Sequence, residues 1–270
     1  MDTAAVDAYL ARIGADRAAA ADAEALRVLH RRHLTAVPFE NLSIHLGQDI
    51  VLDERPLLAK IVDDRRGGFC YEVNGTFAAL LRALGYGVDL LAARPYAGKR
   101  LAVPYSHMAL RVRTVDGSVW LADVGFGKHS EYPLLLDAEG EQPDPGGVFR
   151  IVPAADGDLD VLRDGAPEYL LDTRPRALAD FEAGCWYNRT SPDSHFTGSL
   201  VCSRLTEDGG RRTLSGRLLV TTSARGARTE RELAADEVLD AYRELFGVTL
   251  DREPVVVDRA PRVVDHPAGA

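Results

Sequence analysis

Through the first third of the chain apolar residues recur three and four positions apart, and after Gly85 the spacing shortens to two. Val6, Tyr9, Leu10 and Ile13 form one helical stripe, which Gly14 ends. Asp22 is placed to cap a second helix carrying Leu26, Leu29, His33 and Leu34, broken ahead of Pro38. Leu57, Leu58, Ile61 and Val62 mark a third, with Pro56 in its first turn. Val73, Phe77, Leu80, Leu81 and Leu84 mark a fourth that starts at Cys70. Val37-Pro38-Phe39-Glu40-Asn41-Leu42 is too short and irregular to predict an element of its own. Period-two runs at 87–93, 107–115, 118–124, 148–152 and 199–205 predict a mainly antiparallel sheet or small barrel. Residues 137–180 are rich in Pro, Asp and Gly and predict little. Asp208-Gly209-Gly210 reads as a hairpin turn leading into a strand over 214–222. A helix with Val238, Leu239, Tyr242, Leu245 and Phe246 then ends at Gly247, and the tail after about 258 reads as loose.

The stretch Arg65-Arg66-Gly67-Gly68-Phe69-Cys70 places a thiol where the fourth helix begins. Unpaired N–H groups and the positive end of the dipole there favour the thiolate. Free cysteines are mostly buried and inert, so this stretch alone does not assign a nucleophile. Glu40 is acidic and Arg65-Arg66 basic, which fits an ion pair bracing the cysteine turn; two solvated charges are the plainer alternative.

Two runs downstream supply partners. His107–Arg113 and Val119–Val124 flank an Asp116-Gly117 turn. A two-residue loop sets Asp123 opposite Leu110, on the face away from His107. A three-residue loop, with Gly117 left-handed, sets Asp123 opposite Ala109, on the face of His107 and one diagonal from it. Only the second register gathers Met108, Leu110, Val112, Trp120, Ala122 and Val124 on one face as a core, so the apolar pattern selects it. The second strand leaves through Gly125-Phe126-Gly127, a turn able to approach a ligand closely.

With 270 residues, 46% hydrophobic and 27% charged, the chain can bury a substantial core. A net charge of −9 without a basic cluster argues against nucleic acid as a partner, while leaving room for a local cationic pocket. Three cysteines, Cys70, Cys185 and Cys202, have neither pair nor metal spacing, which predicts a reducing, cytoplasmic setting and no metal site. Neither a membrane-length apolar run nor a signal-peptide pattern is present, so no membrane partner is expected.

Cysteine, histidine and aspartate in that order are the parts of an activated-thiol triad: the imidazole takes the thiol proton and the carboxylate fixes its tautomer. Such a thiol can attack a thioester or activated amide and pass the acyl group to an amine or water.

Val37-Pro38-Phe39-Glu40-Asn41-Leu42, Arg66-Gly67-Gly68-Phe69-Cys70-Tyr71-Glu72 with Asn74-Gly75, His107-Met108, Ala122–Gly127, Trp186-Tyr187-Asn188 and Ser191–Phe196 together resemble the arylamine N-acetyltransferase family, in family order over roughly residues 5–250. The resemblance implies an α+β fold: an N-terminal helical bundle (1–86), a central antiparallel β-barrel (87–198) and a C-terminal α/β lid (199–270), with a cysteine-protease-like Cys-His-Asp core. It implies Cys70 as nucleophile, His107 as base and Asp123 as its orienter. Acetyl-CoA is the implied cosubstrate, with no permanently bound cofactor, and an aromatic amine, hydrazine or N-hydroxyarylamine the acceptor in a ping-pong cycle. Phe39, Phe69, Phe126 and Phe196 match acceptor-pocket positions, Phe69 and Phe126 most firmly because they adjoin the triad. Gly125, Phe126 and Gly127 match the place of CoA beside the cysteine. Lys128 replaces a glycine frequent in bacterial members, set to meet a CoA phosphate or to face water. Related members close macrolactams or draw acyl groups from a carrier protein, and a thiol hydrolase would use the same triad, so these roles stand as alternatives.

Overall fold

The computed structural model describes residues 1–256; the tail expected to be loose after about 258 lies outside them. Helices α1 (Thr3–Ile13) and α2 (Ala23–Ala36) form where the stripes place them. Asp2 and Asp22 accept from Ala5 N–H and Ala25 N–H at 2.9 and 2.8 Å, capping both starts. Then come β1 (Phe39–Glu40), α3 (Leu42–Leu46), α4 (Glu54–Leu58) continued by a wider turn over Ala59–Asp63, and α5 (Cys70–Ala83). β1 corrects the expectation of no element before Leu42. It pairs Phe39 with Ser203 and Glu40 with Cys202, and so depends on residues 162 and 164 positions away rather than on local pattern.

The middle of the chain supplies β2 (Gly87–Ala97), β3 (Arg100–Leu101), β4 (His107–Arg113), β5 (Val119–Ala122), β6 (Leu134–Leu135), β7 (Gln142–Asp144), β8 (Gly147–Pro153), β9 (Leu159–Arg163) and β10 (Ala166–Leu171). They pair antiparallel in the order β6-β5-β4-β2-β10-β9-β8-β7, with β3 beside β2. The sheet curls until its two ends nearly meet. Gln142 of β7 bridges them, its amide accepting from Leu135 N–H at 2.7 Å and donating to Leu135 O at 3.0 Å. The segment 137–180 holds four of these strands, of which β8 alone falls on a predicted period-two run, 148–152.

After α6 (Glu182–Thr190) and α7 (His195–Gly198), a second sheet forms from β11 (Cys202–Leu205), β12 (Arg211–Ser215), β13 (Leu218–Thr222) and β14 (Arg228–Glu232), with β1 completing it beside β11. The single strand expected over 214–222 is two, folded back at Gly216, whose φ of +57° suits a residue without Cβ. α8 (Val238–Ala241) and the turn Tyr242–Phe246 cover this sheet, burying Val238, Tyr242 and Phe246. The architecture is α+β: N-terminal helices, a nearly closed antiparallel barrel and a C-terminal sheet.

Alternation along β4 places the site. Met108, Leu110 and Val112 join Ala122 and Val124 in the core beneath α5. Ala109 and Leu121 point into the barrel with Leu91, Phe149, Val161 and Tyr169. Leu110 lies opposite Ala122 and Val112 opposite Trp120, and Thr114 N–H donates to Ser118 O around a Val115–Gly117 loop. This is the three-residue register, with Gly117 at φ +86°.

Candidate active site

Cys70 opens α5, Glu72 at the third helical position accepts from Phe69 N–H at 3.2 Å, and Lys60 binds Glu72 at 2.5 Å. The preceding turn is braced from within. Arg66 Nε and Nη2 donate to Glu40 Oε1 at 3.0 and 2.8 Å, while Glu40 Oε2 accepts from Leu42 N–H at 2.6 Å. Both partners are buried, Glu40 completely, so the pair is structural and not a pair of solvated charges. The close approach of this turn to Pro38 requires glycine: a Cβ on Gly67 would lie 1.9 Å from Pro38 O.

His107 begins β4 and Asp123 follows β5. His107 Nε2 lies 2.7 Å from Asp123 Oδ2, and both side chains are almost wholly buried. Asp123 Oδ1 accepts from Asn74 Nδ2 and from Gly125 N–H, each at 2.9 Å. With Nε2 engaged by the carboxylate, Nδ1 is the ring nitrogen left to exchange a proton with a thiol. Asn74, one helical turn after Cys70, also donates to Met108 O at 2.6 Å and accepts from Val124 N–H at 2.9 Å. One side chain thus ties the cysteine helix to the strands of histidine and aspartate. His30 Nε2 accepts from Asp123 N–H at 3.2 Å. Asn188 donates to Ser106 O at 3.1 Å and to Tyr71 Oη at 2.9 Å, steadying the chain just before His107.

Burial raises the Asp123 pKa, but the charges of His107 and His129 and hydrogen bonds from His107 and Asn74 outweigh it, leaving the carboxyl at about 2. Burial pushes the Cys70 thiol well above its ordinary value, the Asp123 charge adding to it, while backbone hydrogen bonds from Met108 and Tyr71 oppose. Desolvation thus opposes the thiolate that the helix N-terminus favours. Ionisation has to come from handing the proton to the imidazole. His129, also buried, is held down to about 3 and is neutral at pH 7.

A cleft of about 1020 Å³ opens over this cluster, lined by Cys70, His107, Gly125 and Phe126 together with Phe39, Tyr187 and Phe196. Of the four expected pocket aromatics, Phe39, Phe126 and Phe196 line it. Phe69 does not: it is fully buried beneath the wall, its ring 5.6 Å from Phe196 and 5.0 Å from Tyr71. Placing Phe69 beside Cys70 in sequence pointed it to the pocket, but a residue next to the helix start turns into the core. Gly125 meets the cysteine backbone so closely that a Cβ would sit 2.7 Å from Cys70 Cα. Gly127 and Lys128 lie outside the cleft lining; Lys128 is exposed and its carbonyl accepts from Arg163 Nη1 at 2.7 Å. Sequence reading gave no role to Asn74, His30, Tyr187 or Asn188; Asn74 was findable, four residues from Cys70 on the same helix face. Among the described residues no cluster of His, Cys, Asp and Glu could hold a metal ion, and no helix is long and apolar enough to cross a membrane.

A family model for N-acetyltransferases matches residues 22–255. The arylamine N-acetyltransferase / N-hydroxyarylamine O-acetyltransferase of Salmonella typhimurium is 35% identical over 219 residues, 79% of this chain and 77% of that protein. The solved M. smegmatis arylamine N-acetyl transferase superposes with a TM-score of 0.84 at 35% identity, covering 93% of each chain. The Mycobacterium marinum arylamine N-acetyltransferase in complex with CoA superposes at 0.81 with 31% identity, over 90% of this chain and 92% of that one. Fold and matches together define an N-acetyltransferase, in which Cys70 and His107 line one cleft and Asp123 binds the imidazole. The chain belongs to the arylamine N-acetyltransferase family.

Proposed function

We propose that the protein moves an acetyl group from acetyl-CoA to an aromatic amine, hydrazine or N-hydroxyarylamine through a thioester on Cys70. The observation that carries the reading is the 2.7 Å contact of His107 with Asp123 in a cleft shared with Cys70. In the first half-reaction His107 Nδ1 takes the Cys70 proton. The sulfur attacks the thioester carbonyl, the C–S bond to CoA breaks, and the imidazolium returns its proton to the departing CoA thiolate. In the second, the acceptor nitrogen attacks acetyl-Cys70 and loses a proton to His107. The Cys70 thiolate leaves and is reprotonated from the ring. Asp123 stays ionised, fixes the Nε2–H tautomer and stabilises the imidazolium between these steps.

Gly125 and Phe126 flank the sulfur, where the thioester end of CoA has to reach. Arg94 and Arg100 line the same cleft and give it local positive charge in a chain of net −9, as CoA phosphates require. Phe39, Phe126 and Phe196 supply the aromatic wall for the acceptor ring. An N-hydroxy acceptor would receive the same acyl group on oxygen without any change in the machinery.

The test is to incubate purified protein with acetyl-CoA, with and without an arylamine or hydrazine, and follow free CoA thiol. Amine-dependent release is the expected result. Release at the same rate without amine would make the protein a thioester hydrolase instead.

A further inference from the structure

α7 and the turn after it carry one aromatic face of the cleft, and two side chains hold that segment from beneath. Asn41 Nδ2 donates to Phe196 O at 3.0 Å and to Ser199 O at 2.6 Å, and Asn41 Oδ1 accepts from Val201 N–H at 2.9 Å. His45, one helical turn further on, sets Nε2 at 3.1 and 3.0 Å from the same two carbonyls. Carbonyl oxygens only accept, so Nε2 carries the proton. Asn41 Nδ2 also lies 3.3 Å from this nitrogen, which makes an approach of two donors rather than a bond. Asn41 is 2% exposed and His45 9%.

The segment is also tied to the end of α6, where Ser194 Oγ donates to Asn188 O and Thr197 Oγ1 to Ser191 O, and Asn41 N–H donates to Val201 O at 3.2 Å. α7 is only four residues long and joins no sheet, and Asn41 and His45 are the side chains that bond its Phe196 carbonyl to the start of α3. The fastened element is Phe196, whose ring stands 6.1 Å from Phe39 and 5.6 Å from Phe69. Phe39 sits two residues before Asn41. One short stretch therefore gives the cleft an aromatic ring and also locks the ring it packs against.

We propose that Asn41 and His45 are positioning residues that set the preference for aromatic acceptors, by holding Phe196 against Phe39 without touching substrate or the reacting atoms. This rests on the acetyl-transfer reading of the cleft. A loosened Phe196 gives up contact with a substrate ring, while an acceptor without a ring never made that contact. Acylation of Cys70 by acetyl-CoA needs no contact between an acceptor ring and Phe196, so it is independent of the clamp.

The experiment compares Asn41→Ala, His45→Ala, His45→Gln and His45→Asn with the unaltered protein, using an arylamine and ring-free hydrazine as acceptors. Single-turnover release of CoA from acetyl-CoA reports the first half-reaction. KM for the arylamine should rise roughly three- to tenfold in both alanine variants, the loss of about one aromatic contact. KM for hydrazine and the single-turnover rate should stay put. The Gln side chain reaches an N–H to the Nε2 position and should restore arylamine KM; Asn reaches only the Nδ1 position and should not. Parallel loss for both acceptors, or Asn restoring as well as Gln, would overturn the clamp. No CoA release from the unaltered protein would instead sink the acetyl-transfer reading beneath it.

Discussion

Replacing Asp123 with Asn removes one charge and almost no volume, and the surroundings dictate how the new amide must lie. Both donors at Oδ1, Asn74 Nδ2 and Gly125 N–H, are main-chain or side-chain N–H groups at 2.9 Å. If the amide nitrogen faced them, two buried donors would lose their acceptor, at about 1–3 kcal/mol each. A preference of about 2 kcal/mol or more therefore turns the amide oxygen toward Asn74, roughly thirtyfold over the reverse. The NH₂ group then faces His107 Nε2 and donates to it, driving the imidazole proton onto Nδ1. That nitrogen can no longer accept the Cys70 proton, and the carboxylate charge that favours the imidazolium is gone. The equivalent exchange in a serine-protease triad costs about 10⁴ in kcat, and kcat/KM for acetyl-CoA should fall here by about 10³–10⁴. Folding should survive, because the Oδ1 contacts are kept. Steady-state CoA release gives the rate, and ¹⁵N shifts of labelled His107 give the tautomer. A rate within tenfold of the unaltered protein, or a ring still protonated at Nε2, would refute the reasoning.

Arg66→Met leaves Glu40 buried and unpaired and should cost about 3–5 kcal/mol in urea unfolding, whereas Arg66→Met with Glu40→Leu should recover much of it; a double variant as weak as the sum of the singles would contradict the buried pair. His129 keeps a folded pKa of about 3, chiefly through burial, against about 6.5 in the unfolded chain, so its stability contribution is complete above about 6.5 and is lost as pH falls toward 3. Between pH 7.5 and 5.5 the loss should be about 1.4 kcal/mol, and His129→Phe should abolish that share; Asp123, at about 2, adds a further loss only below about 4. An unchanged pH slope in the variant would count against this. Gly125→Ala drives a Cβ against Cys70 Cα and should lower kcat/KM about 10²-fold with the fold retained, as a displacement near 1 Å does; near-normal turnover would show that the contact is slack.

Much of this arrangement was legible in the chain because the features that set it are local or periodic. The register that brings Asp123 to His107 follows from which alternate residues of two strands are apolar, and core burial enforces it. The cap of α2 and the end of α1 at Gly14 were readable for similar reasons. β8 lies on the period-two run at 148–152, whereas β7, β9 and β10 were hidden by polar outward-facing residues, although Asp164-Gly165 between Arg163 and Ala166 is a two-residue hairpin signal that could have been used. β1 carried no signal, since its partner is far away in sequence. The side of a helix start to which Phe69 turns is set by tertiary packing, which adjacency to Cys70 does not encode. The burial that opposes thiol ionisation was hidden for a related reason: a dipole is readable from helix position, whereas burial of the sulfur is not.

The central claim is that the acetyl group rests on the Cys70 sulfur between donor and acceptor. Rapid acid quench after mixing with acetyl-CoA alone, followed by peptide mass spectrometry, tests it directly. The account predicts a single acetyl adduct on the Cys70 peptide, formed at least as fast as turnover and discharged at once by an added arylamine. An adduct on Cys185, Cys202 or a lysine, or a Cys70 adduct that the amine leaves intact, would contradict it.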